Sequence, residues 1–163
     1  MGEPYWLIIA RAELLRGVYE IPGPESEARI QEYQQHSALR WPHSDDNIAW
    51  CSDFVGWSIQ GGDGRLVKLF GITPLVGTQS AAARSWLGWG VGVSITNPPI
   101  GAVMVLKHEG GPGPEVRDAP GHATFFDGWA APGWVRGLGG NQSNMVRTSN
   151  YEVKHIIGMR WAA

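Results

Sequence analysis

Cys51 is the sole cysteine of the chain, and it stands where a polar loop turns into a helix. Asp45-Asp46-Asn47-Ile48-Ala49-Trp50 precede it. Phe54, Val55 and Trp57 follow at helical spacing, and Ile59 carries the segment to the stop at Gly61-Gly62. At a helix start the unpaired N–H groups and the positive end of the helix dipole favour an anion. A free thiol with a pKa near ~8.5 is only about 3% thiolate at neutral pH, and such a position beside an imidazolium lowers that pKa by several units. The pattern predicts a nucleophile rather than the small buried core residue that a lone cysteine usually is.

A nucleophilic thiol needs a base, and His122 is placed to be one. It follows Gly121 and opens the apolar run Ala123-Thr124-Phe125-Phe126 before Asp127-Gly128 turns the chain. A histidine at a strand entrance, beside a nucleophile on a facing helix, is the geometry a cysteine–histidine pair requires. Further on, Gly139-Gly140-Asn141-Gln142 offers two amide side chains where another strand ends. An amide oxygen there can accept from the second imidazole nitrogen and fix its tautomer. His36, His43, His108 and His155 show no paired ligand spacing, and His108-Glu109 lacks the second histidine of a zincin motif. We therefore expect no metal or other cofactor.

The elements that must position these residues change character along the chain. Pro4 suits the start of a helix, and Trp6, Ile9, Ala10 and Leu14 mark its buried face as far as about Arg16. A second helix begins at Ser26 with Ile30 and Tyr33 as apolar positions. A loop from Ser37 to Ala49 leads to the Cys51 helix. The glycines at 61–64 and 71–77 read as turns, and residues 80–89 as a short alanine-rich helix. From Pro98 onward, segments 102–106, 123–126, 134–138, 145–148 and 153–161 read as strands separated by glycine, proline and asparagine turns. Helices first and an antiparallel sheet second predict an α+β architecture.

The order Trp50-Cys51-Ser52-x-Phe54-Val55-x-Trp57, then Gly121-His122-x-x-Phe125, then Leu138-Gly139-Gly140-Asn141-Gln142 resembles the CHAP-type (cysteine, histidine-dependent amidohydrolase/peptidase) and NlpC-type cell-wall hydrolases. The short phage and prophage endolysin-like members are the most similar. The resemblance runs from Gly17-Val18-x-Glu20-x-x-Gly23 to Gly158-x-Arg160-Trp161, nearly the whole chain. It implies a papain-like fold that cleaves an amide bond of peptidoglycan as amidase or endopeptidase. Cys51 would be the nucleophile, His122 the base and Asn141 the polar third residue, with Trp50, Gln142 and Asp46 at the substrate cleft. Gly139 departs from the glutamate that many CHAP enzymes carry two residues before the asparagine.

Composition narrows the partners. A net charge of −2 and a pI near 6.2 leave no basic footprint for a nucleic-acid backbone. The apolar run from Tyr5 to Ala10 is too short for a membrane span or a secretory signal. The expected enzyme is one catalytic domain over residues 1–163 with no separate wall-binding module. It is made in the cytoplasm and brought to the wall by a holin, a phage tail or a secretion apparatus. Two other classes compete. Nine tryptophans suit a non-catalytic glycan- or peptide-binding module. A muramidase would need an acidic pair, Glu20 or Glu32 with Asp45.

Overall fold

The computed structural model describes residues 2–23, 25–35, 37 and 49–163. Four α-helices come first: α1 (Tyr5–Arg16), α2 (Ala28–Gln34), α3 (Cys51–Ile59) and α4 (Arg65–Phe70). A 3₁₀ turn at Ala83–Gly88 follows. The strands are β1 (Val91–Gly92), β2 (Val103–Lys107), β3 (Gly121–Ala131), β4 (Trp134–Gly139), β5 (Arg147–Glu152) and β6 (Ile156–Trp161), with a 3₁₀ turn at Val153–His155 before β6. They form one sheet in the order β1-β6-β2-β3-β4-β5, every registered pair antiparallel. The α+β expectation holds. No described helix is long and apolar enough to cross a membrane.

Each face of the sheet has its own core. On the helix side, Trp6, Ile30, Tyr33, Phe54, Val55, Trp57 and Trp86 pack over Val103, Val105, Ala123, Phe125 and Leu138. On the other side Met104, Leu106, Phe126, Val135 and Met159 form a smaller cluster. Strand alternation explains the split: Ala123 and Phe125 point to the helices, and Phe126 points away. Burying a large apolar side chain contributes roughly 1.5–3 kcal/mol each, so the larger cluster fixes α3 on the sheet.

Differences from the sequence reading have local causes. α4 fills the stretch between the two turns read at 61–64 and 71–77, and its six residues sit between Gly64 and Gly71, both in left-handed conformations with φ of 79° and 63°. The segment at 80–89 is a 3₁₀ turn rather than a full helix. β5 begins two residues later than expected, since Met145 is instead bridged to Tyr19. The same strap continues as Val146 N–H donates to the Val18 carbonyl and Glu20 N–H to the Asn144 carbonyl. The expected loop at 37–49 falls largely outside the described residues.

Two buried charges hold the framework. Glu13 on α1 accepts from the Arg29 guanidinium at 2.8 and 2.7 Å and from the Tyr33 hydroxyl. Arg84 is buried, and it donates to the carbonyls of Gly113, Val116, Pro112 and Pro120. Four charge-assisted bonds replace the hydration that a buried guanidinium loses. They pin the loop at 112–120 that delivers the chain to β3.

Candidate active site

Cys51 is the first residue of α3, as the loop-to-helix pattern predicts, and it is buried. The backbone N–H groups of Ala123, Ser52 and Cys51 itself lie near its sulfur and favour the thiolate. The Ala123 contact is made possible by where β4 stops. The last registered β3–β4 pair toward this end is Phe125 with Leu138, so no β4 residue competes for the Ala123 N–H. The helix start thus fills a gap in the sheet edge, next to the peptide that joins Ala123 to His122. Gly140 allows this approach: a Cβ there would lie 2.4 Å from the Trp50 ring and 2.7 Å from Phe54 Cβ. Ser52 anchors the same turn, donating to the Ser80 carbonyl at 2.6 Å and accepting from Trp86 Nε1 at 2.9 Å.

His122 opens β3, paired with Leu106 of β2. Its Nε2 lies 3.2 Å from Gln142 Oε1. Gln142 is only 3% exposed, and its amide nitrogen donates to the carbonyls of Gly137 and Arg147. Those two acceptors settle which way the amide points, so oxygen faces the imidazole. An amide oxygen only accepts, hence His122 carries its proton on Nε2 and keeps the Nδ1 lone pair as the basic site. The third polar residue expected at Asn141 is therefore corrected by one position. Asn141 serves the turn, with φ of 53°, and Ser143 and Asn144 follow at 54° and 60°. Asparagine tolerates this left-handed region better than glutamine does. The turn closes with the Gln142 N–H donating to the Met145 carbonyl at 3.0 Å.

The remaining expected site residues divide. Trp50 has 0% exposure, its Nε1 donates to Glu20 Oε1 at 2.8 Å, and its ring packs on Tyr33. It is a structural support under the site and lines no cleft. Gln142 has its amide engaged by His122, Tyr151 and the Gly137 and Arg147 carbonyls. Asp46, like Asp45, His36 and His43, lies outside the described residues. Of the acids considered for a muramidase, Glu20 is held by Trp50 and Glu32 pairs with Arg29. Among the described residues no group of three or more histidine, cysteine or acidic side chains is gathered to hold a metal ion. His155 meets Glu109 at 2.6 Å, away from the site.

The electrostatics differ from the sequence expectation. Burial pushes the Cys51 thiol up, outweighing the N–H groups that lower it, and Asp53 raises it further. Burial also lowers His122, only partly offset by its bond to Gln142. The helix terminus is present, but desolvation of a thiolate costs more than the dipole returns. The resting pair is a neutral thiol beside a neutral imidazole, not an ion pair.

Asp53 was not singled out in the sequence, where it reads as a favourable acid in a first helical turn. All nine residues of α3 are buried, and Asp53 with them. Among the described residues its Oδ1 has no hydrogen-bond partner, its carboxyl is pushed up to about 7 by burial, and a bond to Ser37 opposes that shift. An unfolded aspartate titrates near ~3.9. A raised folded value means that the neutral acid favours the fold below about pH 4, and this contribution is lost as pH rises through 7. His122 acts in the opposite sense: its lowered value costs stability as pH falls below the usual histidine range. Relative to Asp53→Asn, the wild type should lose urea midpoint between about pH 4 and pH 7 and run parallel to the variant above that. An unchanged slope in the variant would contradict a buried, neutral Asp53.

Compared with known protein families the chain matches none, and comparison with curated proteins and with solved structures likewise gives no match.

Proposed function

We propose that this protein is a papain-like cysteine hydrolase that cleaves an amide bond of peptidoglycan, with Cys51 as nucleophile, His122 as base and Gln142 as the residue that orients the imidazole. One observation carries the reading: the only thiol of the chain stands near the Ala123 N–H, next in sequence to a histidine whose far nitrogen is held by a buried amide. Three separate stretches of sequence converge there. A packing role for Cys51 gives no reason for such a chain of polar contacts behind it.

The chemistry is acyl transfer. His122 Nδ1 takes the thiol proton as Cys51 attacks the substrate carbonyl, so base catalysis and nucleophilic attack are coupled. Free N–H groups of the first turn of α3 are suited to hold the oxyanion, each donor being worth about 10²–10³ in rate. The imidazolium, its Nε2–H on Gln142, then protonates the leaving amine, and water hydrolyses the thioester. Peptidoglycan as substrate comes from the resemblance of the three motifs to CHAP- and NlpC-type enzymes. Delivery to the wall by a phage or secretion apparatus is part of the same proposal.

Digestion of purified peptidoglycan followed by mass spectrometry tests it. The expected products carry one new amine and one new carboxylate per cut, and their masses identify the bond. Products with new reducing sugar ends would point to glycosidic cleavage and overturn the amide assignment.

A further inference from the structure

Gln142 Oε1 is shared by two donors. The second is the Tyr151 hydroxyl, which reaches it from β5 at 2.9 Å. Tyr151 lies against His122 itself, with ring centroids 5.7 Å apart and planes inclined by 36°. Ser149, two residues back on the same face of β5, stands within reach of its hydroxyl. The glycines of β4 make room for this cluster: a Cβ on Gly137 would lie 3.0 Å from the Tyr151 ring, and one on Gly139 would lie 3.0 Å from Gln142 Oε1. Ser149, Tyr151, Gln142 and His122 thus form one continuous polar chain behind the thiol.

We infer that Tyr151 is a positioning residue that acts through Gln142, aligning the His122 imidazole and keeping it an uncharged base until it takes the Cys51 proton. The inference rests on the reading of His122 as the base. An amide oxygen has two lone pairs, and in the resting site both are occupied. When His122 becomes cationic, its Nε2–H must share Oε1 with the phenol, whose own hydrogen points at the same atom. The cation therefore gains less from Gln142 than it would alone. Removing the hydroxyl gives the whole acceptor to the imidazolium. Ring packing is retained by phenylalanine, so the effect is separable from structure.

The other charged or titratable groups on the elements around the imidazole are not among the described donors to that acceptor. They are Cys51 and Asp53 on α3, Arg84 against Gly121, Lys107 opposite Gly121 on β2, and Arg147 at the start of β5. None of them changes in Tyr151→Phe, so a shift in His122 reports the phenol.

The test is histidine ¹⁵N NMR across pH on full-length protein, with the His122 signal assigned by its loss in His122→Ala. The wild type should show the Nε2–H tautomer. Tyr151→Phe should raise the His122 pKa by about 0.5 or more, roughly a threefold gain in imidazolium at a given pH above it. The acid limb of kcat/KM on peptidoglycan should move up with it. An unchanged or lowered His122 pKa would overturn the inference. If Tyr151→Phe fails to fold, 3-fluorotyrosine at position 151 supplies a stronger donor in the same shape. It should lower the His122 pKa, and no change there would equally overturn it. The NMR readout needs no substrate, so an inactive protein with the expected shift would overturn the hydrolase reading while sustaining the role of Tyr151.

Discussion

Cys51→Ala should leave the fold intact and abolish the proposed cleavage, lowering kcat by about 10⁴-fold or more, because in the proposed mechanism its sulfur forms the covalent intermediate. Alanine removes only the sulfur from a residue already packed as a small apolar group, so the loss of stability stays at about 1 kcal/mol or less. Loss of the unfavourable thiol desolvation works in the same direction. His122→Ala should be nearly as damaging. The resting site holds a neutral thiol, raised by burial, and depends on a base to ionise it. The double variant should be no worse than either single one, since residues that act as a unit are not additive. Rate measurements on purified peptidoglycan, with circular dichroism to verify the fold, check all three. Residual activity in Cys51→Ala above about 1% would exclude covalent catalysis by this residue.

The second large effect separates two neighbouring amides. Gln142→Ala should lower kcat by about ten- to a thousand-fold, less than the loss of Cys51 or His122, because it orients and stabilises the imidazole without making bonds. It also strands the Gly137 and Arg147 carbonyls and the Tyr151 hydroxyl, which now bond to Gln142. Each buried group left unpaired costs about 1–3 kcal/mol, so a clear fall in Tm should accompany the loss of rate. Asn141→Ala should touch kcat little. Its cost is conformational, since alanine disfavours the left-handed backbone at φ of 53°, and Asn141→Gly should be neutral. Parallel kinetics and melting curves on the three variants check the assignment. A crippled Asn141→Ala beside a silent Gln142→Ala would return the role to Asn141.

The sequence made the first-order layout readable because strong local signals agreed with the fold. The apolar spacing of Trp6, Ile9 and Ala10 set α1, the polar-to-apolar switch at Trp50-Cys51 set the start of α3, and glycine- and proline-rich turns separated most of the strands. The choice between Asn141 and Gln142 needed the backbone. Gly139-Gly140-Asn141-Gln142-Ser143-Asn144 is a turn in which asparagine is the residue suited to a left-handed conformation. That preference assigns Asn141 to the chain reversal and leaves glutamine for the histidine. The raised Asp53 carboxyl and Cys51 thiol were not legible in the sequence, for a shared reason. Position at a helix start was legible, but burial is a tertiary property, and here desolvation outweighs the dipole. Tyr151 carried no sequence signal at all. It reaches the site only because β5 pairs with a β4 whose Gly137 and Gly139 present no side chains on that face.

The most direct measurement follows from Cys51 being the only thiol. Iodoacetamide is added in steps, and intact mass and peptidoglycan cleavage are read on the same samples. Alkylation should be slow near neutral pH and accelerate in the alkaline range, since burial holds the thiol protonated. Activity should fall in proportion to the mass gain of a single carbamidomethyl group and extrapolate to zero at full occupancy. Cleavage that survives in fully alkylated, folded protein would contradict Cys51 as the nucleophile.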